Sequence, residues 1–212
     1  MNSKTYFDEI AHAWDHMRQT FFSDTVRDVA IATAAVQPGK IAADIGAGSG
    51  FLTEGLLQKG LHVFAVDQSE AMLEVMKTKF QGTDRVTCLQ GESRSLPIPD
   101  ASVDYVFANM YLHHVEAPLA TIKEMARILK PGGTLVITDL DKHDYEFLRT
   151  EQHDRWLGFE RDAIKRWFAE AGLEAVNVDC VGENCCSESS CGCESASISI
   201  FVAWGIKPSS LS

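Results

Sequence analysis

Asp44-Ile45-Gly46-Ala47-Gly48-Ser49-Gly50 is the stretch that decides the fold. An apolar run at 41–45 leads into it and a helix expected at 51–59 leads out, so three glycines stand where a strand turns into a helix. Glycines in such a turn let a ligand approach the backbone, and the helix N-terminus offers N–H groups that have no partner inside the helix. The spacing is G-x-G-x-G, with Phe51 where a dinucleotide fingerprint has its third glycine. No Gly-Lys-Ser/Thr follows, which also removes the phosphate-gripping P-loop. Nicotinamide and flavin cofactors therefore lose ground.

Downstream, short apolar runs alternate with helical stretches, the mark of a parallel sheet with crossover helices. Strands are expected at 41–45, 62–66, 86–89, 103–108 and 134–139, with helices at 51–59, 70–80 and 117–129. In the last of these helices Leu119, Ile122, Met125, Ala126 and Leu129 share a face, and Pro131-Gly132-Gly133 should end it and turn the chain into strand five. A polar stretch at 141–158, a helix at 160–171 and β-like runs at 174–181 and 198–206 follow. The Cys- and Ser-rich segment 182–195 is expected to be the loop of that last hairpin. Upstream, Phe7, Ile10, Ala11, Trp14 and Met17 recur at helical spacing opposite Asp8, Glu9, His12 and Asp15, which predicts one amphipathic helix. Ser23 or Asp24 can cap a second helix running to about Val36. The fold class is α/β: a doubly wound, mostly parallel seven-stranded sheet with a covering N-terminal helix and a Cys-rich loop in its last hairpin.

The 212 residues suit one domain, and 45% hydrophobic with 23% charged residues excludes a disordered, collagen-like or coiled-coil chain. Nineteen Lys and Arg against thirty Asp and Glu give a net charge of −11, a field that repels phosphate backbones and anionic lipid. Nucleic acid and membrane surfaces are thus poor partners, and a small molecule fits better. Met1 to Ile10 does not read as a secretory signal, and no apolar run nears the roughly 20 residues that span a bilayer, so the cytoplasm is the expected compartment. The sequence leaves the oligomeric state open.

Asp67 ends the second strand, where its carboxylate can accept both hydroxyls of a ribose, and Gly91-Glu92-Ser93 brings another acid to the same sheet edge. Ligands of such sheets bind at the carboxyl ends of the strands, so these groups converge. At this point the chain resembles the class I S-adenosylmethionine (SAM) dependent methyltransferases, in the small-molecule branch that includes quinone C-methyltransferases. The resemblance rests on residues 44–50, Val66-Asp67, Gly91-Glu92, residues 96–104, Asn109 and Leu129-Lys130-Pro131-Gly132-Gly133. It implies that Asp67, with Gln68 beside it, holds the ribose, and that the backbone of Gly46, Ala47, Gly48 and Gly50 cradles the methionine end. Asp44 orients the amino group, Asn109 lies beside the methionine portion, and Glu92 or the Ser93 backbone takes the adenine. It further implies a lid in residues 1–39, a SAM-binding core in 40–139 and an acceptor-side part in 140–212, and it brings Tyr6, Phe7 and Trp14 near the pocket.

Methyl transfer from a sulfonium needs alignment, a dry pocket and, for a protonated acceptor, a base. His113 and His114 follow strand four and can face the acceptor, with Tyr6 reaching it from the first helix. The residues after strand four, Asn109-Met110-Tyr111-Leu112, lack the prolines of the DNA-methylating enzymes of this fold. Cys185, Cys186, Cys191 and Cys193 suit a soft metal or metalloid ion as thiolate ligands, at the edge of the sheet where the pocket lies. Cys88 and Cys180 are expected to be core residues. Asp154-Arg155-Trp156-Leu157-Gly158-Phe159 and Ala171-Gly172-Leu173 look like methyltransferase domains fused to arsenic-type repressors, whereas dedicated arsenite methyltransferases carry a Cys near the glycine loop, where this chain has Ala47. The expected function is methyl transfer to a small molecule, with two alternatives: a SAM-binding metal sensor or sequestration protein, and a quinone-type enzyme whose cysteines are incidental.

Overall fold

A computed structural model describes residues 3–209. Its single sheet holds β1 (Ile41–Ile45), β2 (His62–Asp67), β3 (Val86–Gln90), β4 (Val103–Asn109), β5 (Leu129–Leu140), β6 (Glu174–Glu188) and β7 (Ser195–Ile206) in the order β3-β2-β1-β4-β5-β7-β6. β1 to β5 pair in parallel, and β7 runs antiparallel to both β5 and β6, so β6 points the same way as the first five. The order reverses between β1 and β4, and the crevice outside the carboxyl ends of those strands is where such sheets bind ligands.

Residues alternate between two apolar layers because successive side chains of a strand point to opposite faces. On one face Ala42, Ala65, Phe107 and Val202 meet α3 (Thr25–Thr33), α4 (Phe51–Gln58) and α5 (Glu70–Lys79). On the other, Ala43, Val106, Ile137 and Phe201 meet α6 (Pro118–Ile128) and α8 (Arg161–Glu170). Lys207 donates to the carbonyls of Ala126, Arg127 and Leu129, placing a cation at the C-terminal end of α6, where the Ala101 and Ser102 N–H groups also bond the Arg127 and Ile128 carbonyls.

The expected elements return with five changes. The first helix is two helices, α1 (Ser3–Ile10) and α2 (Trp14–Phe21), separated by a turn in which Ala13 N–H bonds the Ile10 carbonyl. The second ends at Thr33 rather than near Val36, because Ala35 takes φ +48°, outside the helical range. β5 starts at Leu129, directly after α6, so Pro131-Gly132-Gly133 lies within the strand at an irregularity rather than ahead of it. The Cys-rich segment is mostly strand: 182–188 extend β6, with 184–188 paired to β7 beyond a register shift, which leaves only 189–194 as the hairpin tip. Ser and Gly in that run read as loop, but ladder hydrogen bonding and alternate burial of Cys185, Ser187 and Ser189 override the composition. The polar stretch after β5 also contains a short helix, α7 (Phe147–Glu151). Among the described residues no helix is long and apolar enough to cross a membrane.

Candidate active site

The glycine loop forms because Gly46 and Ala47 both donate to the Val66 carbonyl, which folds the chain tightly over the end of β2. Gly46 has φ +71° and packs under the Tyr111 ring, where any Cβ would clash. Gly50, at φ +87°, starts α4 against the ring of Phe80; its part is conformational, since it lies outside the cavity lining.

A cavity opens above this loop, with about 660 Å³ of free space that includes its open mouth. Asp44, Gly46, Ala47, Gly48, Asp67, Gln68 and Asn109 line it, seven of the residues expected from the sequence. Asp67 Oδ2 accepts the Gly48 N–H at 2.8 Å and Oδ1 the Ser69 N–H at 2.9 Å, so each oxygen keeps capacity for a further donor. Desolvation pulls the Asp67 pKa upward despite those two bonds. Asp44 is fully buried, accepts from the Thr53 hydroxyl at 2.7 Å, and burial raises its pKa to about 7. Asn109 accepts from the Thr138 hydroxyl at 2.7 Å, which leaves its amide hydrogens for the cavity. Glu92 is exposed and outside the lining, so its side chain is not brought to the cavity. Ser93 is outside the lining as well.

Sequence reasoning missed Arg18. Its guanidinium is buried in the lining, stacked 3.8 Å from the centre of the Phe51 ring, and its Nε has no hydrogen-bond partner. Burial lowers its pKa despite Asp24. Arg18 lies four residues after Trp14 and seven after Ala11, on the face read as apolar, where no charged residue is expected. Phe7 and Trp14 complete the wall, and two hydrogen bonds hold this segment down, Ser69 hydroxyl to Asp8 at 2.6 Å and Ser49 hydroxyl to Asp15 at 2.5 Å. Tyr6 lines neither this cavity nor the next; it packs edge-on against Phe7 and His153.

A second chamber of about 440 Å³ shares Trp14, Phe22, Met110 and His114 with the first. Met110, which follows β4 directly, takes φ +51°, a costly conformation for a side chain of this size and one that clusters at functional sites. Leu140, Leu148 and Ile198 give the chamber apolar walls, and His113, His114 and Asp154 form its polar end. His113 Nδ1 lies 2.7 Å from Asp139 Oδ1. Burial opposes its charge, but Asp139 and Asp154 outweigh burial and raise its pKa to about 9. Burial and the neighbouring His113 push the His114 pKa well below the usual imidazole value. Asp154 was outside the expected site; the segment after α7 docks on the turn after β4, where Arg155 and Trp156 N–H both bond the His113 carbonyl.

The four clustered thiols do not converge. Cys185 is buried and lines the second chamber, whereas Cys186 is exposed, because neighbours on a strand face opposite sides. Cys191 and Cys193 are joined as a disulfide at the tip. A four-thiolate ion site is therefore corrected. Cys88 is half-buried and packs against the apolar layer under α3 to α5, whereas Cys180 is exposed and is not a core residue.

A family model described as a methyltransferase domain matches residues 43–137. A demethylmenaquinone methyltransferase of Staphylococcus epidermidis is 35% identical over 207 residues, covering 82% of this chain and 86% of the relative. One from Clavibacter sepedonicus is 37% identical over 137 residues, covering 63% of this chain and 56% of the relative's length. Among solved structures, a chain of the complex between the Haloferax volcanii Trm112 methyltransferase activator and a methyltransferase superposes with a TM-score of 0.78 at 23% identity, covering 95% of this chain and 97% of that one, a likeness of fold. Sequence relationship across most of both chains, together with a glycine loop and strand-end acids around one crevice, shows that this protein belongs to the class I SAM-dependent methyltransferases.

Proposed function

We propose that the protein transfers the methyl group of SAM to a small, quinol-like acceptor held in the second chamber. The observation that carries this reading is the meeting of the two cavities at Trp14, Phe22, Met110 and His114, so that a group at the inner end of the first faces the second. The first cavity fits a zwitterionic sulfonium nucleoside. Asp44 and Asp67 suit its amino and ribose groups, and the unpartnered buried Nε of Arg18 suits a carboxylate. SAM supplies an electrophilic methyl group.

The chain's own residues align the two reactants and exclude water. Asp67 accepts the ribose hydroxyls, the 46–48 backbone supports the methionine end, and Arg18 holds its carboxylate. Phe7 and Trp14 cover the cofactor as parts of a lid. In the second chamber the apolar walls grip a ring, and His113, His114 and Asp154 orient its hydroxyl group. Demethylmenaquinone methyltransferases among the relatives support a quinol-type acceptor. Tyr6 takes no catalytic part in this reading, because it lines neither cavity.

The test is formation of S-adenosylhomocysteine by the purified protein with a short-chain demethylmenaquinol, and SAM binding by calorimetry. Asp67→Ala should weaken SAM binding about 10- to 100-fold, the worth of a hydrogen bond to a charged group. Unchanged affinity in that variant would sink the cofactor assignment. SAM binding with no turnover on any quinol or phenol would favour a non-catalytic SAM-binding protein.

A further inference from the structure

We propose that His113, His114 and Asp154 form a binding site for one divalent transition-metal ion of the zinc type, at the polar end of the acceptor chamber, with one coordination position open to that chamber. The inference rests on the methyl-transfer reading for its role but not for the site itself.

The donor atoms are already gathered. His113 Nε2 and His114 Nδ1 each lie 3.7 Å from Asp154 Oδ1, and all three donors fall within 4.8 Å of one another. A tetrahedral ion with bonds of about 2.1 Å needs donors about 3.4 Å apart, so only small contractions are required. Asp154 Oδ1 and His114 Nδ1 are also buried without hydrogen-bond partners, and the Asp154 side chain is only 2% exposed. A buried carboxylate oxygen facing an unpartnered imidazole nitrogen is costly unless something sits between them.

The surroundings match what ligating histidines require. His113 has its far side fixed, leaving Nε2 for the ion, because its Nδ1 bonds the Asp139 carboxylate; His114 keeps Nδ1 without a partner. A carboxylate behind a ligating histidine sets its tautomer and raises its basicity. Asp139 is itself buried and held by the Leu140 N–H at 2.7 Å and the His113 N–H at 3.3 Å, so this support does not depend on solvent. Two imidazoles and a carboxylate, rather than an all-oxygen set, select a transition ion over calcium or magnesium. Three protein ligands beside a chamber are the arrangement of zinc sites that keep a position for substrate.

That open position suits the oxygen of an ionisable hydroxyl. On binding, a metal–oxygen bond forms, the O–H bond breaks and its proton leaves to solvent, because the ion lowers the pKa of the group it holds. The acceptor is then an oxyanion fixed at the shared wall of the two cavities.

The experiment uses the full chain, stripped with a chelator, re-equilibrated in buffer and titrated with Zn(II) and with Co(II) as an optical probe. One equivalent should bind, with Co(II) d–d absorption of a four- or five-coordinate N/O site and no thiolate charge-transfer band. Asp139→Asn should weaken binding about 10- to 100-fold by removing the carboxylate behind His113, and His114→Ala and Asp154→Asn should weaken it more. Circular dichroism and denaturant unfolding of the stripped variants verify that they fold, and Asp154→Glu, which keeps the carboxylate, should retain part of the affinity. Absence of binding, binding unchanged in Asp154→Asn, or a thiolate band lost in Cys185→Ser would overturn the proposal. SAM affinity of the stripped wild type separates the two ideas: intact SAM binding without metal binding removes this site alone, whereas absent SAM binding removes the cofactor reading above.

Discussion

Two side chains of the first cavity carry the sharpest expectations. Arg18 is an internal cation wedged on Phe51, and Arg18→Met keeps the aliphatic stem and the stacking while removing the charge. If it holds the methionine carboxylate, its loss should raise the SAM dissociation constant about 10- to 100-fold, measured by calorimetry, while leaving adenosine affinity unchanged. Asp44, with a pKa of about 7 in the free protein, is protonated below that pH and charged above it. A cationic ligand favours the charged form, so SAM should bind more tightly as pH rises from 5 to 7, with proton release that Asp44→Asn abolishes. Calorimetry in buffers of different ionisation enthalpy reads that proton directly. The same raised pKa has the opposite sign for folding: its contribution is present in full below the ordinary carboxylate range and is lost as pH rises through about 7.

The element of most consequence is the broken N-terminal helix. Its two halves meet the cavity because Asp8 and Asp15 bond Ser69 and Ser49, each near the helix end of a different βα turn. Asp8→Ala with Asp15→Ala should leave the melting temperature almost unchanged, since these bonds hold a peripheral segment. It should weaken SAM binding about tenfold and speed amide exchange across 5–21, read by mass spectrometry. Unaltered exchange would mean that packing of Phe7 and Trp14 alone holds the segment. The hairpin at the opposite side is anchored likewise: Glu151 accepts from the Ser190 N–H and hydroxyl, and Gln152 donates to the Ser187 hydroxyl at 2.7 Å.

Across the whole molecule, β4 joins the two apolar layers to the site. Phe107 is 1% exposed in one layer, Val106 and Ala108 are buried in the other, and the strand ends at Asn109, just before the turn that carries Met110 and both histidines. Phe107→Ala should cost about 3–5 kcal/mol of stability through lost burial and a cavity, read by denaturant unfolding. Because that void lies three residues from Met110, turnover should also fall at temperatures where the variant remains folded. A variant that lost stability but kept full turnover would show that the turn is positioned independently of the core.

Local chemistry wrote much of this into the chain. The G-x-G-x-G turn, the strand-end Asp67 and the alternation of apolar runs with helices depend on residues within a few positions of one another, so periodicity and turn preference are sufficient to read them. The same holds for the histidine pair after β4, legible as candidates from their place at the strand end. What tertiary structure alone decided involves pairs far apart in sequence: Arg18 on Phe51, Asp8 with Ser69, and Asp154 carried to His113 by a segment docked on its carbonyl. The thiols make the same point in reverse, since four cysteines adjacent in sequence are divided by strand alternation between the chamber, the outer face and the hairpin tip. Sequence proximity sets which conformations a segment prefers, but only the packing of distant segments, through burial and hydrogen bonding, sets which side chains share a cavity.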